Sequence, residues 1–167
     1  MNKRLLPNVV TLSNLILGVI SLWLTMEQQY NESAVAVMLA MVMDGLDGRL
    51  ARRFKVSSDF GKELDSLADL VSFGVAPALL VYAAVLCRYG LWGFCLAIFF
   101  ALCGAIRLAR FNILNCQTHF VGMPITFAGS FLAFSIFFKQ CLIIYVYPLL
   151  VVLLSILMIS NFKLPKL

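Results

Sequence analysis

Charge is what this chain has least of. Only 13% of its 167 residues are Asp, Glu, Lys or Arg, while 62% are apolar and the mean hydropathy is +0.97. That scarcity excludes an ordinary soluble domain, in which about a quarter of residues are charged. The net charge of +5 does not argue for nucleic-acid binding in so apolar a chain; its basic residues read as membrane anchors and phosphate contacts. Histidine is represented by His119 alone, which falls in a loop and reads as a surface residue. Cysteines stand at 87, 95, 103, 116 and 141. They form no CxxC pair, which argues against a zinc or redox motif and leaves them as small residues facing lipid or other helices. No Ser/Pro-rich linker and no internal repeat interrupts the chain, so one domain over residues 1–167 is expected.

What is present is long apolar sequence. Six segments stand out: about Val9–Met26, Ala34–Phe54, Phe60–Leu86, Leu91–Asn112, Pro124–Phe138 and Leu142–Ser160. They are continuous rather than alternating, which argues against membrane-spanning strands. The expected fold is an all-α integral-membrane bundle of six transmembrane helices. The first segment follows Lys3 and Arg4 as a secretion signal would, but it is longer than a typical signal core and no small-x-small site follows, so it reads as a retained helix. Basic residues orient the bundle. With the N-terminus in the cytoplasm, every Lys and Arg except Arg88 and Lys139 lies on the cytoplasmic side, and both termini are cytoplasmic. A multi-pass protein of the cell (inner) membrane is expected.

The acids are concentrated. Apart from Glu27 and Glu32, all lie between Asp44 and Asp69, on the second and third segments and the turn joining them. Carboxylates on a segment that otherwise crosses lipid are costly and normally face a cavity with a function. Asp44 and Asp47, three apart, share a helix face; Asp65 and Asp69, four apart, share a face on the next helix. The turn between, Arg53 to Asp59, makes these helices antiparallel neighbours, with Ser57, Ser58 and Asp59 as candidate N-caps. The four carboxylates then converge at one depth. About ten apolar residues, roughly 15 Å of helix, precede Asp44, which puts the site in the cytoplasmic half of the membrane, open to the cytoplasm.

Such a cluster must be protonated or neutralised by cations. Hard divalent ions such as Mg²⁺ take oxygen ligands and bridge to phosphates, and two of them can clamp both sides of a phosphoryl centre. No His or Cys lies within the cluster to suggest zinc. Gly48 and Ala51 share the inner face with the acids, and Gly61 lies on the facing helix; these serve either close approach of a ligand or helix packing. Arg52, a turn beyond Gly48, is either a diphosphate contact or a cytoplasmic anchor.

Asp44-Gly45-Leu46-Asp47-Gly48-Arg49-Leu50-Ala51-Arg52, eight residues, Gly61, three residues, Asp65, three residues and Asp69 resembles the CDP-alcohol phosphotransferase signature at every defined position, and six spans suit that family. The resemblance implies that Asp44, Asp47 and Asp65 hold two divalent cations, Mg²⁺ or Mn²⁺. Asp69 would complete the metal site and act as general base. Gly48, Arg52 and Ser58 would contact the CDP part of the lipid, with Ala51 and Gly61 giving it room. Pro7-Asn8-Val9-Val10-Thr11 is similar to the family's nucleotide-contacting helix start, which brings in Asn8 and Thr11; a plain helix entry with Pro in its first turn is the other reading.

Three further stretches are similar to the short bacterial branch whose acceptor is L-serine: Asp65 to Ala78, Arg107 to Asn112, and Phe120 to Pro124. That branch implies CDP-diacylglycerol as donor and phosphatidylserine and CMP as products. Arg107 and Arg110 are candidates for the serine carboxylate, or anchors; Asn112 and Ser72 are lesser candidates. The family also implies a homodimer, for which Ala101, Ala105 and Ala109 offer a face of small residues. Other acceptors, glycerol 3-phosphate or inositol phosphate, remain open. A divalent-cation transporter is the alternative from another class, although transporter sites favour the midplane and repeated halves.

Overall fold

Polar residues fill the buried face of the first helix, α1 (Leu5–Met26). Thr11, Asn14, Gly18, Ser21 and Thr25 recur at spacings of three and four, which puts them on one face, and all five are buried. Val9, Leu12, Ile16, Val19 and Trp23 point outward. This inversion suits lipid, where apolar surface is at home outside and small or hydroxyl-bearing residues let helices approach. The structure, a computed structural model, describes residues 5–54, 59–114, 120–140, 145–160 and 163–164, with backbone alone at 5–7, 47, 50–54, 114, 120, 121, 163 and 164.

Three residues turn the chain into α2 (Tyr30–Phe54). Gln28 takes φ = 60°, and Gln28 N–H and Gln29 N–H donate to the Thr25 and Leu24 carbonyls at 3.1 and 2.9 Å, closing α1 with a Schellman turn. The hairpin is then pinned by buried hydroxyls: Ser33 Oγ lies 2.8 Å from both Ser21 Oγ and Thr25 Oγ1. Ala34, Ala36, Val37 and Ala40 keep the buried face of α2 narrow.

The third rod is divided. α3 (Asp59–Asp69) runs into a six-residue π-turn, Leu70–Val75, and then α4 (Ala76–Ala84). Ala76 N–H reaches back five residues to the Val71 carbonyl. Pro77 explains the widening: it has no N–H for the Phe73 carbonyl, and its ring would crowd that carbonyl in a regular helix. Glycines from two sides receive the turn. A Cβ at Gly18 would sit 2.9 Å from Ser72 Cα, and one at Gly129 would collide with the Phe73 carbonyl. The turn directly after Asp69 is thus gripped between α1 and the fifth rod.

That rod is α6 (Ile125–Phe134), continued by a 3₁₀ turn over Ser135–Phe138; before it comes α5 (Leu91–Leu114) and after it α7 (Val146–Ile159). Phe73, Leu80, Phe100, Ile125, Leu132, Ile136 and Tyr147 fill the interior, and Tyr147 OH donates to the Ser135 carbonyl at 2.9 Å. The segment before α6 closes the end of α7. Met123 N–H donates to the Leu157 carbonyl at 3.1 Å and Arg110 Nη1 to that of Ile159 at 3.4 Å. Gly122 takes φ = 77°, where a Cβ would meet the Met158 carbonyl. β1 (Phe120–Val121) pairs antiparallel with β2 (Lys163–Leu164), the one departure from all-helical structure among the described residues.

Each of the six apolar segments corresponds to one helical rod. Three rods are long and apolar enough to cross a membrane: Asn8–Met26, Asp59–Ala84 and Leu91–Ile113. α2 is long enough but carries charge at its C-terminal end, and Ile125–Phe138 and Val146–Ile159 are shorter apolar helices. Among the described cysteines, Cys103 is buried and Cys87 and Cys95 are exposed, all as free thiols. Cys116, Cys141 and His119 lie outside the described residues, as do Ser57 and Ser58.

Candidate active site

Three acids from two helices come together. The carboxylates of Asp44 on α2 and Asp65 and Asp69 on α3 offer oxygens that all lie within 4.8 Å of one another. Asp69 is buried, and Asp44 and Asp65 are half-buried. The four-residue spacing of Asp65 and Asp69 aims both at α2, and the Gly18–Ser72 approach brings α1 against the same place. Asn14 Nδ2 donates to Asp69 Oδ1 at 3.3 Å. Asp47 lies in α2, but its side chain is outside the described residues, as are those of Ala51 and Arg52, and Ser58 altogether.

The donor set fits a hard divalent cation: three carboxylates, no thiol or imidazole, on rigid helices. Opposite oxygens around an Mg²⁺ ion stand about 4.2 Å apart, so a small inward movement of these side chains would close them on one ion. At 4.8 Å two unit charges repel by about 3.5 kcal/mol at an effective dielectric of about 20. A cation is the natural occupant of such a cluster.

Asp65 and Asp69 also line a cavity of about 490 Å³ between α3 and α5, with Lys62, Ser66, Arg107, Phe111 and Asn112 among its walls. Arg107 lies over the Phe111 ring, 5.5 Å from its centroid. Its Nε is buried and has no hydrogen-bond partner among the described residues. Asn112 Nδ2 donates to Ser66 Oγ at 3.0 Å, tying α5 to α3. A cation with an unspent donor, an amide and a hydroxyl therefore share one cavity with two acids of the cluster.

Of the acceptor candidates, Arg107 and Asn112 line this cavity and Arg110 and Ser72 do not. Arg110 donates from one guanidinium nitrogen to the end of α7, and Ser72 Oγ donates to the Asn14 carbonyl at 3.0 Å from a fully buried position. Thr11 is buried on the polar face of α1, and Asn8, Gly48 and Gly61 are half-buried. Three site residues were missed in the sequence. Ser66 and Phe111 each sit inside a quoted stretch without a role, and Asn14 was legible only through the 11, 14, 18, 21, 25 periodicity of small and polar residues on α1.

The chain matches the family model described as CDP-alcohol phosphatidyltransferase over residues 4–161. It is 42% identical over 162 residues to the CDP-diacylglycerol–serine O-phosphatidyltransferase of Methanocaldococcus jannaschii, covering 96% of this chain and 74% of that protein. Against the protein of the same name from Helicobacter pylori it is 36% identical over 171 residues, covering 97% and 72%. Against that from Bacillus subtilis it is 35% identical over 168 residues, covering 96% and 89%. The matched region takes in the carboxylate cluster, the cavity beside it and all seven α-helices, and the chain belongs to the CDP-alcohol phosphatidyltransferase family.

Proposed function

We propose that the chain transfers the phosphatidyl group of CDP-diacylglycerol to the hydroxyl of L-serine, giving phosphatidylserine and CMP. One observation carries this reading: the Asp44–Asp65–Asp69 cluster borders a cavity whose far wall offers Arg107 and Asn112. Relatives at 35–42% identity bearing the corresponding enzyme name support it.

Asp44, Asp65 and Asp69, with Asp47, would hold divalent cations, Mg²⁺ or Mn²⁺ and two in number. Bound there, such ions supply positive charge to a diphosphate and to the charge that develops in displacement. Asn8, Thr11, Gly48, Ala51, Arg52, Ser58 and Gly61 would receive the CDP-lipid. Asp69 takes the serine hydroxyl proton as that oxygen forms its bond to the lipid-bearing phosphorus. The bond from that phosphorus to the CMP oxygen breaks, and CMP leaves. Arg107 receives the serine carboxylate through paired N–H donors, and the acidic lining receives its ammonium.

With Asp65 and Asp69 committed to cations, Asp59 and Glu63 face the cavity against Lys62 and Arg107, a balanced lining that suits a zwitterion such as serine. The bundle is proposed to cross the inner membrane six times, with both termini and the site on the cytoplasmic side, as one domain that pairs into a homodimer. The test is CMP release by purified protein with CDP-diacylglycerol and Mg²⁺ or Mn²⁺, with serine, glycerol 3-phosphate and inositol phosphate in separate reactions. Release requiring serine and metal, and lost in Asp69→Asn, is expected. Release with a phosphorylated acceptor instead would overturn the serine assignment, and metal-independent release would overturn the role of the cluster.

A further inference from the structure

Asn14 lies outside the aspartate motif and outside the cavity, yet it touches the most buried acid of the cluster. Its side chain is fully buried. Nδ2 donates to Asp69 Oδ1 at 3.3 Å, across 55 residues of sequence, while Oδ1 is buried without a hydrogen-bond partner among the described residues. A buried amide with half of its hydrogen-bonding capacity unused is costly compared with an apolar residue of the same size, so packing alone does not account for it.

We propose that Asn14 is a positioning residue, whose amide N–H holds the Asp69 carboxylate in the orientation that closes the Asp44–Asp65–Asp69 cluster on a divalent cation. The proposal rests on the cation-binding reading of that cluster. Asn14 is anchored for the task at its backbone as well. Ser72 Oγ donates to the Asn14 carbonyl at 3.0 Å, and Gly18, one turn along α1, lets Ser72 come that close. Asn14 is therefore fixed from both ends to the rod that carries Asp69.

The choice of an amide follows from charge. Lys or Arg at this position would pair with Asp69 and compete with the cation for it. Asp would add another negative charge, and Leu would remove this hold on the carboxylate. A neutral N–H donor fixes one carboxylate oxygen and leaves the net charge of the cluster unchanged. Side chains that hold a metal ligand in this way characteristically change metal affinity or activity by 10–100-fold when removed.

The experiment compares wild type, Asn14→Leu, Asn14→Ala and Ser72→Ala, each purified in detergent. Mn²⁺ affinity is read from the spin-resonance signal of free Mn²⁺. CMP release supplies kcat and KM, and melting temperature reports packing. Asn14→Leu is expected to bind Mn²⁺ at least about tenfold more weakly and to lose about 10–100-fold in kcat, with KM for CDP-diacylglycerol unchanged. Ser72→Ala removes another polar tie between α1 and this rod but keeps the bond to Asp69. It should lower the melting temperature and reduce Mn²⁺ affinity and kcat much less than Asn14→Leu does. Asn14→Ala supplies the same comparison if leucine prevents folding. Unchanged Mn²⁺ affinity in a folded Asn14 variant would overturn the proposal, as would an equal loss in Ser72→Ala, which would mark a general loosening of the helix contact. Wild type that binds Mn²⁺ but releases no CMP would count against the proposed reaction alone, and the Mn²⁺ comparison would still decide the role of Asn14.

Discussion

Replacing Asp69 by Asn should make the protein more stable without metal and less stable with it. Three carboxylates lie within 4.8 Å, and Asp69 takes part in two of the three pairs. At about 3.5 kcal/mol per pair for an effective dielectric of about 20, its charge contributes up to about 7 kcal/mol of gross repulsion. Proton uptake by the empty cluster and the attraction between Asp69 and Arg107 each offset part of this, so the net gain is a fraction of the gross figure. Asparagine is nearly the same size and keeps an oxygen to accept from Asn14. With a cation bound the order reverses. Ligand at a hundred times its dissociation constant stabilises by about 2.7 kcal/mol; at about 2–4 °C per kcal/mol for a chain of this length, wild type should melt about 5–10 °C higher in Mn²⁺ than in EDTA. The assay is thermal unfolding in detergent, followed by the fluorescence of Trp23 and Trp92. Curves that cross, Asp69→Asn above wild type in EDTA and below it in Mn²⁺, are expected. Wild type melting at one temperature in both conditions, or Asp69→Asn melting below it in EDTA, would refute the reasoning.

Arg107→Ala should raise KM for serine by about 10-fold or more, the value of one charge-assisted hydrogen bond, with KM for CDP-diacylglycerol little changed in the same CMP assay. Arg110→Ala, which removes only a donor from the end of α7, should lower the melting temperature and leave KM for serine alone; the opposite pattern would exchange their roles. Gly129→Ala should cost about 1–3 kcal/mol through overpacking, because its methyl group would meet the Phe73 carbonyl, and a melting temperature equal to wild type would show that α6 can retreat from the π-turn.

Some of this was open to inspection in the sequence because it depends on local rules. The long apolar runs are enough to read helices, and each run corresponds to a rod. The three- and four-residue spacings of the aspartates put them on shared faces whatever the rest of the chain does. Scarcity of charge elsewhere made the acids conspicuous, and their motif carried the family. Apart from the family, which rests on resemblance to its signature, these conclusions require nothing beyond helix geometry, the cost of charge in lipid and the order of the residues.

Other features depend on which surfaces meet. The third rod was read as one segment, and Pro77 alone does not tell whether a helix kinks, ends or widens; Gly18 and Gly129 arriving from two other helices fit the widened turn. Arg107 and Arg110 are three residues apart and looked equivalent, but α7 ends beside one and the cavity beside the other. Ser72 looked like a site residue and in the structure donates to the Asn14 carbonyl, whereas Asn14, passed over as one polar residue on an apolar helix, donates to Asp69. The sequence by itself determined the helices, the faces of the acids and the family. Only the tertiary structure decided which polar groups reach the site, because a hydrogen bond depends on separations of tenths of an ångström between elements that no local spacing controls.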